Sequence, residues 1–177
     1  MHVRTLTPED AVAYQALRLR GLAEAPTAFA SSYEEEVNTP LAEISRRLQP
    51  KVSGAIFGAF SGGTLAGLAG IERESMAKLS HKAYLWGMYV SPEHRGTGVG
   101  ALLLEHVLPF AWRSLGVLQV NLGVHTENPS AIALYRRLGF VVWGTELGAL
   151  VVGGKAQDEH HMVCRAPSAA SQETPSK

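Results

Sequence analysis

Between residues 118 and 125 the chain alternates: Leu118, Val120, Leu122 and Val124 are apolar, and Gln119, Asn121, Gly123 and His125 are polar or small. A period of two sends successive side chains to opposite faces, so this pattern predicts a strand. Before it, apolar or small residues at 99, 102, 103, 107, 110 and 111 follow helical spacing, which predicts a helix from Val99 that Pro109 bends rather than ends. After it, Asn128 and Pro129 read as a helix cap and first helical residue. Ala131, Leu134, Tyr135 and Leu138 share one face of that helix until Gly139 stops it.

The same reading covers the rest of the chain. "HVRTL" alternates like a short strand, and Thr7, Pro8 and Glu9 open a helix that runs to about Glu24. Residues 25–38, "APTAFASSYEEEVN", predict a loop or broken helix, and "TPLAEISRRLQ" restarts helically with Thr39 as cap. "GAIFGAF" and "TLAGLAGIERE" are strands joined by Ser61, Gly62 and Gly63 in a hairpin turn, and "HKAYLWGMYV" is the next strand. "FVVWGTEL" and "EHHMVCR" close the series as strands. The order predicts a mixed α/β sheet covered by helices, in a single domain over residues 1–166. Residues 167–177 are small, polar and proline-punctuated, and are expected to form a disordered tail.

Composition narrows the partners. A chain of 177 residues suits one domain with a sizeable core. Its 16 basic and 16 acidic side chains balance, which speaks against nucleic acid or an anionic membrane as partner. Cys164 is the single cysteine, so no internal disulfide and no paired-thiol metal site can form. The first twenty residues carry charges throughout and no later run reaches membrane-spanning length, so a cytoplasmic protein is expected.

Candidate chemistry concentrates at "VSPEHRGTGVGALLLEHVL", residues 90–108, where a strand passes through three glycines into a helix. A helix start offers unpaired N–H groups and a partial positive charge. Gly96, Gly98 and Gly100 let the main chain approach an anion, and Arg95 adds a permanent cation, so a diphosphate is the expected ligand. A Walker loop needs Lys and then Ser or Thr where Ala101 and Leu102 stand, and a dinucleotide fold needs G-x-G-x-x-G rather than the G-x-G-x-G found here. A tight turn whose glycines serve only geometry is the remaining alternative.

A second motif bears on that choice. "RGTGVG" resembles the R-x-x-G-x-G signature of the GCN5-related N-acetyltransferase (GNAT) family, and "MYVSPEHRG" resembles the family's fourth strand and its exit. "NPSAIALYRRLGF", one helix and one strand later, resembles the family's second signature. "RLRGLAEAPTAFASSYEEE" is similar to the acceptor-side helices and loop of many members. The resemblance implies the acyl-CoA N-acyltransferase fold, a mostly antiparallel sheet splayed between its fourth and fifth strands. It implies acetyl-CoA as co-substrate, with the pyrophosphate on Arg95, Gly96, Thr97, Gly98, Val99 and Gly100, the pantetheine along Met88, Tyr89 and Val90, and Asn128 orienting cofactor or water. The implied reaction is direct transfer of acetyl to a primary amine, of a small molecule or of a protein, with no acetyl-enzyme. A module that binds acetyl-CoA without turnover is the alternative of another class.

Acetyl transfer from a thioester needs a neutral amine, a polarised carbonyl and a protonated leaving thiol. A main-chain N–H near Met88 to Val90 could polarise the carbonyl, an effect of about 3 kcal/mol in comparable sites. The resemblance makes Tyr135 the acid that protonates the thiolate; packing on its helix face is the other role for it. Many members carry a glutamate early in the fourth strand, and "HKAYLWGMYV" has none. Glu72, His81, His125 and His161 are therefore the base candidates, acting directly or through water, with Glu72 and His125 carried forward. Glu34, Glu35 and Glu36 read as a solvated charge run or an amine attractor, and Tyr84, Trp86 and Met88 as one strand face that lines an acceptor pocket or the core. His160 and His161 point to opposite faces, so no metal site is expected, and Cys164 has no base partner in sequence. Acceptor pockets in the family are often completed at subunit contacts, which leaves a homodimer open.

Overall fold

A computed structural model describes residues 1–167. The expectation of a disordered tail falls, beyond Pro167, outside the described residues. Seven strands form one sheet: β1 (His2–Thr5), β2 (Gly54–Ser61), β3 (Thr64–Arg73), β4 (Lys82–Val90), β5 (Gln119–His125), β6 (Val141–Val152) and β7 (Lys155–Arg165). Their order is β1-β2-β3-β4-β5-β7-β6, and every neighbouring pair is antiparallel except β4 with β5. The parallel pair requires a crossover, which the helix α4 (Val99–Arg113) supplies.

The hydrophobic pattern sets what each face carries. α4 (Val99–Arg113) and α5 (Pro129–Arg137) bury Val99, Leu103, Leu104, Val107, Ile132 and Tyr135 against Ile71, Leu85, Val120, Leu122 and Met162 on one side of the sheet. On the other side α1 (Ala11–Glu24) and α3 (Leu41–Arg47) bury Tyr14, Leu17, Leu22 and Ile44 against Phe60, Leu68 and Tyr89. The four-residue α2 (Tyr33–Glu36) lies in the connection between them. Among the described residues no helix is long and apolar enough to cross a membrane.

Some local expectations change and others hold. α3 starts one residue later than expected, with Pro40 rather than Thr39 as its cap. α4 runs through Pro109, as expected. β6 and β7 are far longer than "FVVWGTEL" and "EHHMVCR": they extend into a hairpin whose turn is Gly153 and Gly154, both at positive φ. Alternation in that stretch is broken by register shifts between Val142 and Gly144 and between Glu146 and Leu150, which hides the strand from a period-two reading.

Candidate active site

β4 and β5 are paired only over Lys82–Tyr84 and Gln119–Asn121. Beyond that point β4 stays with β3, β5 stays with β7, and the two strands separate. The result is a cleft with backbone on both sides, open toward the ends at Val90 and His125. β4 also carries a bulge: one β3 residue, Ala69, faces two on β4, Gly87 and Met88. Gly87 has φ +63, a left-handed conformation that a side chain disfavours. The bulge reverses the side-chain alternation, so Tyr84, Trp86 and Met88 do not share a face as the sequence predicts. Trp86 covers Gly70 on the α1 side, and Met88 packs into the core on the α4 side, against Gly100.

At the open end of the cleft, Gly96 (φ +74) and Gly98 (φ +88) take left-handed conformations, and a Cβ on either would meet nothing within 4 Å. These glycines serve backbone shape and leave the space above them clear. Gly98 caps α4, and the N–H groups of residues 96 to 101 donate to no acceptor among the described residues. A row of open amides at a helix start is an anion cradle. Gly100 serves another need: a Cβ there would lie 2.9 Å from Leu134 of α5. Arg95 folds back, its Nε donating to the Val90 carbonyl at 3.0 Å and its Nη2 lying 3.6 Å from Glu24. Thr97 is tied down as well, its hydroxyl donating to the His94 carbonyl. The Tyr89 side chain turns away from the cleft and donates to Glu24 at 2.5 Å; burial, then that carboxylate, push its phenol up to about 12.

Tyr135 is buried in the core edge-on to Phe140, and its hydroxyl makes no hydrogen bond among the described residues. Burial, then the neighbouring Tyr84, push its phenol up, so it stays protonated at any physiological pH. Asn128 caps α5, its Oδ1 accepting from the Ala131 N–H at 3.1 Å.

The expected bases are both engaged. Glu72 accepts a hydrogen bond from Ser53 on the α1 side of the sheet, beside Gly54. His125 is buried, with Nε2 2.8 Å from Oε1 of Gln157. His161 has Nε2 2.8 Å from Glu146 and stacks on Trp143, and His160 is bonded to Thr145 instead. His81 precedes β4, where its carbonyl accepts from Leu118. A carboxylate that the sequence reading passed over stands nearer the cleft. A Cβ on Gly123 would lie 2.9 Å from Glu159 Oε2 and 3.1 Å from the Tyr84 hydroxyl, so both groups meet over β5 where β4 begins to leave it. Glu159 is half-buried, and its carboxylate makes no hydrogen bond or ion pair among the described residues.

On the α1 side, a cavity of about 320 Å³ is lined by Tyr14, Arg18, Glu36, Ile56, Glu72 and Trp86 among others. A more open groove of about 630 Å³ lies between Phe29–Glu34 and the β6–β7 hairpin. The three glutamates of α2 have separate jobs rather than forming one charged face. Glu35 closes a capping box with Ser32, Glu34 borders the groove, and Glu36 pairs with the buried Arg18 at 2.8 Å. Arg18 Nη2 also donates to Ser31, while Nη1 is buried without a partner near Gly87.

The model of the acetyltransferase (GNAT) family matches residues 22–140. Over 100 residues the chain is 34% identical to the streptothricin acetyltransferase of Streptomyces lavendulae, covering 56% of this chain and 52% of that one. It is 42% identical over 84 residues to the N-alpha-acetyltransferase RimI of Mycobacterium tuberculosis, covering 47% and 49% respectively. The chain thus spans about half the length of the curated relatives it matches. Among solved structures, yncA of Salmonella typhimurium, described with its cofactor acetyl-CoA, shares the fold at a TM-score of 0.77 and 22% identity, over 96% of this chain and 98% of that one.

Proposed function

The chain belongs to the GNAT acetyltransferase family, and from that premise we propose that it moves the acetyl group of acetyl-CoA directly to a primary amine of a small molecule. The observation that carries this reading is the cleft between β4 and β5 with an anion cradle at its mouth; the Tyr135 phenol is buried in the core on the α4 side of the sheet. The pyrophosphate lies on the open amides of residues 96 to 101. The pantetheine runs into the cleft along the backbone of Met88 to Val90, and Asn128 fixes the start of α5 beside it.

Each group has a step to perform. A main-chain N–H at the Gly87–Met88 bulge polarises the acetyl carbonyl. The amine nitrogen attacks, the C–S bond breaks, and Tyr135 gives its proton to the leaving thiolate. The burial that keeps this phenol protonated also makes an adjacent thiolate a stronger proton acceptor, so donation remains favourable. Arg95 closes the mouth of the cleft, although its bonds to Val90 and Glu24 leave most of the anion binding to the loop amides. The cavity of about 320 Å³ beside Trp86 supports an acceptor of small-molecule size. We also infer a homodimer that associates through the exposed apolar edge strand β6.

Calorimetric titration with acetyl-CoA, followed by a thiol-release screen over streptothricin, spermidine and short peptides with a free N-terminus, tests the reading. Acetyl-CoA binds and a small amine gives the fastest release. Gly98→Glu, which forces a side chain into a left-handed position and a negative charge into the cradle, weakens acetyl-CoA binding by about 10–100-fold. Binding without release for every amine would leave a sensor module, release only with peptides would transfer the reading to protein amines, and no binding would overturn it.

A further inference from the structure

We propose that Glu159 is the catalytic base, the group that takes the proton from the acceptor ammonium at the point where β4 and β5 part; the proposal rests on the acetyltransferase reading. Four observations converge. Glu159 reaches across β5 toward β4 and stands with Tyr84 over Gly123, where the lack of a side chain makes room for both. That point is the closed end of the cleft, since β4 and β5 pair no further than Tyr84 and Asn121. Among the described residues the carboxylate has no hydrogen-bond or ion-pair partner, whereas Glu72 is held by Ser53 and His125 by Gln157. Tyr84 is near enough to both groups to share their electrostatics: Glu159 raises the Tyr84 phenol, and Tyr84 raises that of Tyr135.

The proton balance closes with these groups. An alkyl ammonium gives one proton to Glu159, and the freed lone pair forms the N–C bond to the acetyl carbon. As the C–S bond breaks, the thiolate takes the Tyr135 proton. The second proton of the nitrogen replaces it by way of the Tyr84 hydroxyl, and Glu159 releases its own proton to water after the amide has formed. No oxidant, metal or further reactant is needed.

The surroundings suit the task. Tyr84 on β4, His125 on β5, Glu146 on β6 and His161 on β7 face the carboxylate. Burial first, and Glu146 after it, push the Glu159 carboxyl up, while His161 and His125 act in the other direction. A raised carboxyl is a stronger base than an ordinary one and accepts an amine proton with less of a mismatch. The sign for stability follows. A carboxyl whose pKa rises on folding is most favourable when protonated, so its charge at neutral pH costs stability and its neutral amide replacement removes that cost.

The test is kcat/KM against pH for wild type, E159Q and Gly123→Ala, using the best amine of the screen, together with acetyl-CoA affinity and Tm. At pH 7 E159Q loses about 100-fold or more in kcat/KM. The deficit shrinks as pH approaches the amine's own pKa of about 10, because the acceptor then arrives neutral. Acetyl-CoA affinity is unchanged, and Tm is equal or higher. Gly123→Ala places a methyl group against the mobile ends of Glu159 and Tyr84 and gives the same pH-dependent loss without removing the carboxylate. Full activity of E159Q at pH 7, or a loss equal at every pH, overturns the assignment and leaves the acetyltransferase reading standing. Absence of acetyl-CoA binding by the wild type overturns both.

Discussion

Tyr135 joins an observed packing role to the proposed chemistry. Its ring fills the core beside Phe140 and Ile132, and its hydroxyl is a polar group for which the described residues supply no partner. Tyr135→Phe keeps the ring and removes only the oxygen, so the core keeps its volume and the unfolding free energy stays within about 1 kcal/mol of wild type. Thiol release falls by about 100-fold or more in kcat, with acetyl-CoA affinity intact. Single-turnover kinetics beside a melting curve check both; an unchanged kcat would leave Tyr135 as packing alone. The face it occupies was legible from helical spacing, because Ala131, Leu134 and Leu138 recur with it. Glu159 was not legible. It is one of 16 acids, it comes from the last strand, and its value arises only from the register that carries it past Gly123.

At the scale of the element, the connection from α1 to α3 is held by an ion pair that sequence alone disguised as part of a charge run. Arg18 on α1 and Glu36 on α2 are 2.8 Å apart with side chains only 8% and 15% exposed, so each depends on the other for its solvation. Burial pushes the Glu36 carboxyl up, and the hydrogen bonds from Arg18 and Ser31 outweigh it, so the net shift is down. Arg18→Met leaves a buried carboxylate unpaired and costs about 3–5 kcal/mol, a fall in Tm of roughly 10 °C for a chain of this size. The sign with pH is defined. A depressed carboxyl contributes stability above its unfolded pKa of about 4.3 and loses it as pH falls. In the variant only burial and Ser31 remain, so protonating Glu36 no longer removes an ion pair. The Tm gap between variant and wild type therefore holds from pH 7 down to about pH 4 and narrows as pH falls below it; a gap constant through that lower range would mean that the guanidinium acts only through packing. Element boundaries were otherwise readable where one rule governed them, as in the Gly62–Gly63 hairpin and the Asn128 cap. They failed where a bulge interrupted the period: at Gly87, which separates Trp86 from Met88, and along β6.

For the whole molecule, the two edges of the sheet differ in a way that bears on assembly. β1 is four residues long and carries Arg4, a short and charged edge that discourages pairing with another chain. β6 is twelve residues long, contains no Lys, Arg or Pro, and exposes Val141, Trp143, Leu147 and Val151. An edge of that length and polarity invites association unless something covers it. Its far end also borders the open groove against Phe29–Glu34, so a second copy docked on β6 would wall the acceptor side of the site. The expected outcome is a dimer in sedimentation velocity, converted to monomer by Trp143→Lys together with Leu147→Lys. Both side chains are more than half exposed, so the double variant retains its fold and its acetyl-CoA binding. If the dimer also completes the acceptor wall, the monomeric variant raises KM for the amine while KM for acetyl-CoA stays fixed. A wild-type chain that sediments as a monomer would mean that β6 is kept apart by its two register shifts, which twist an edge out of line for pairing.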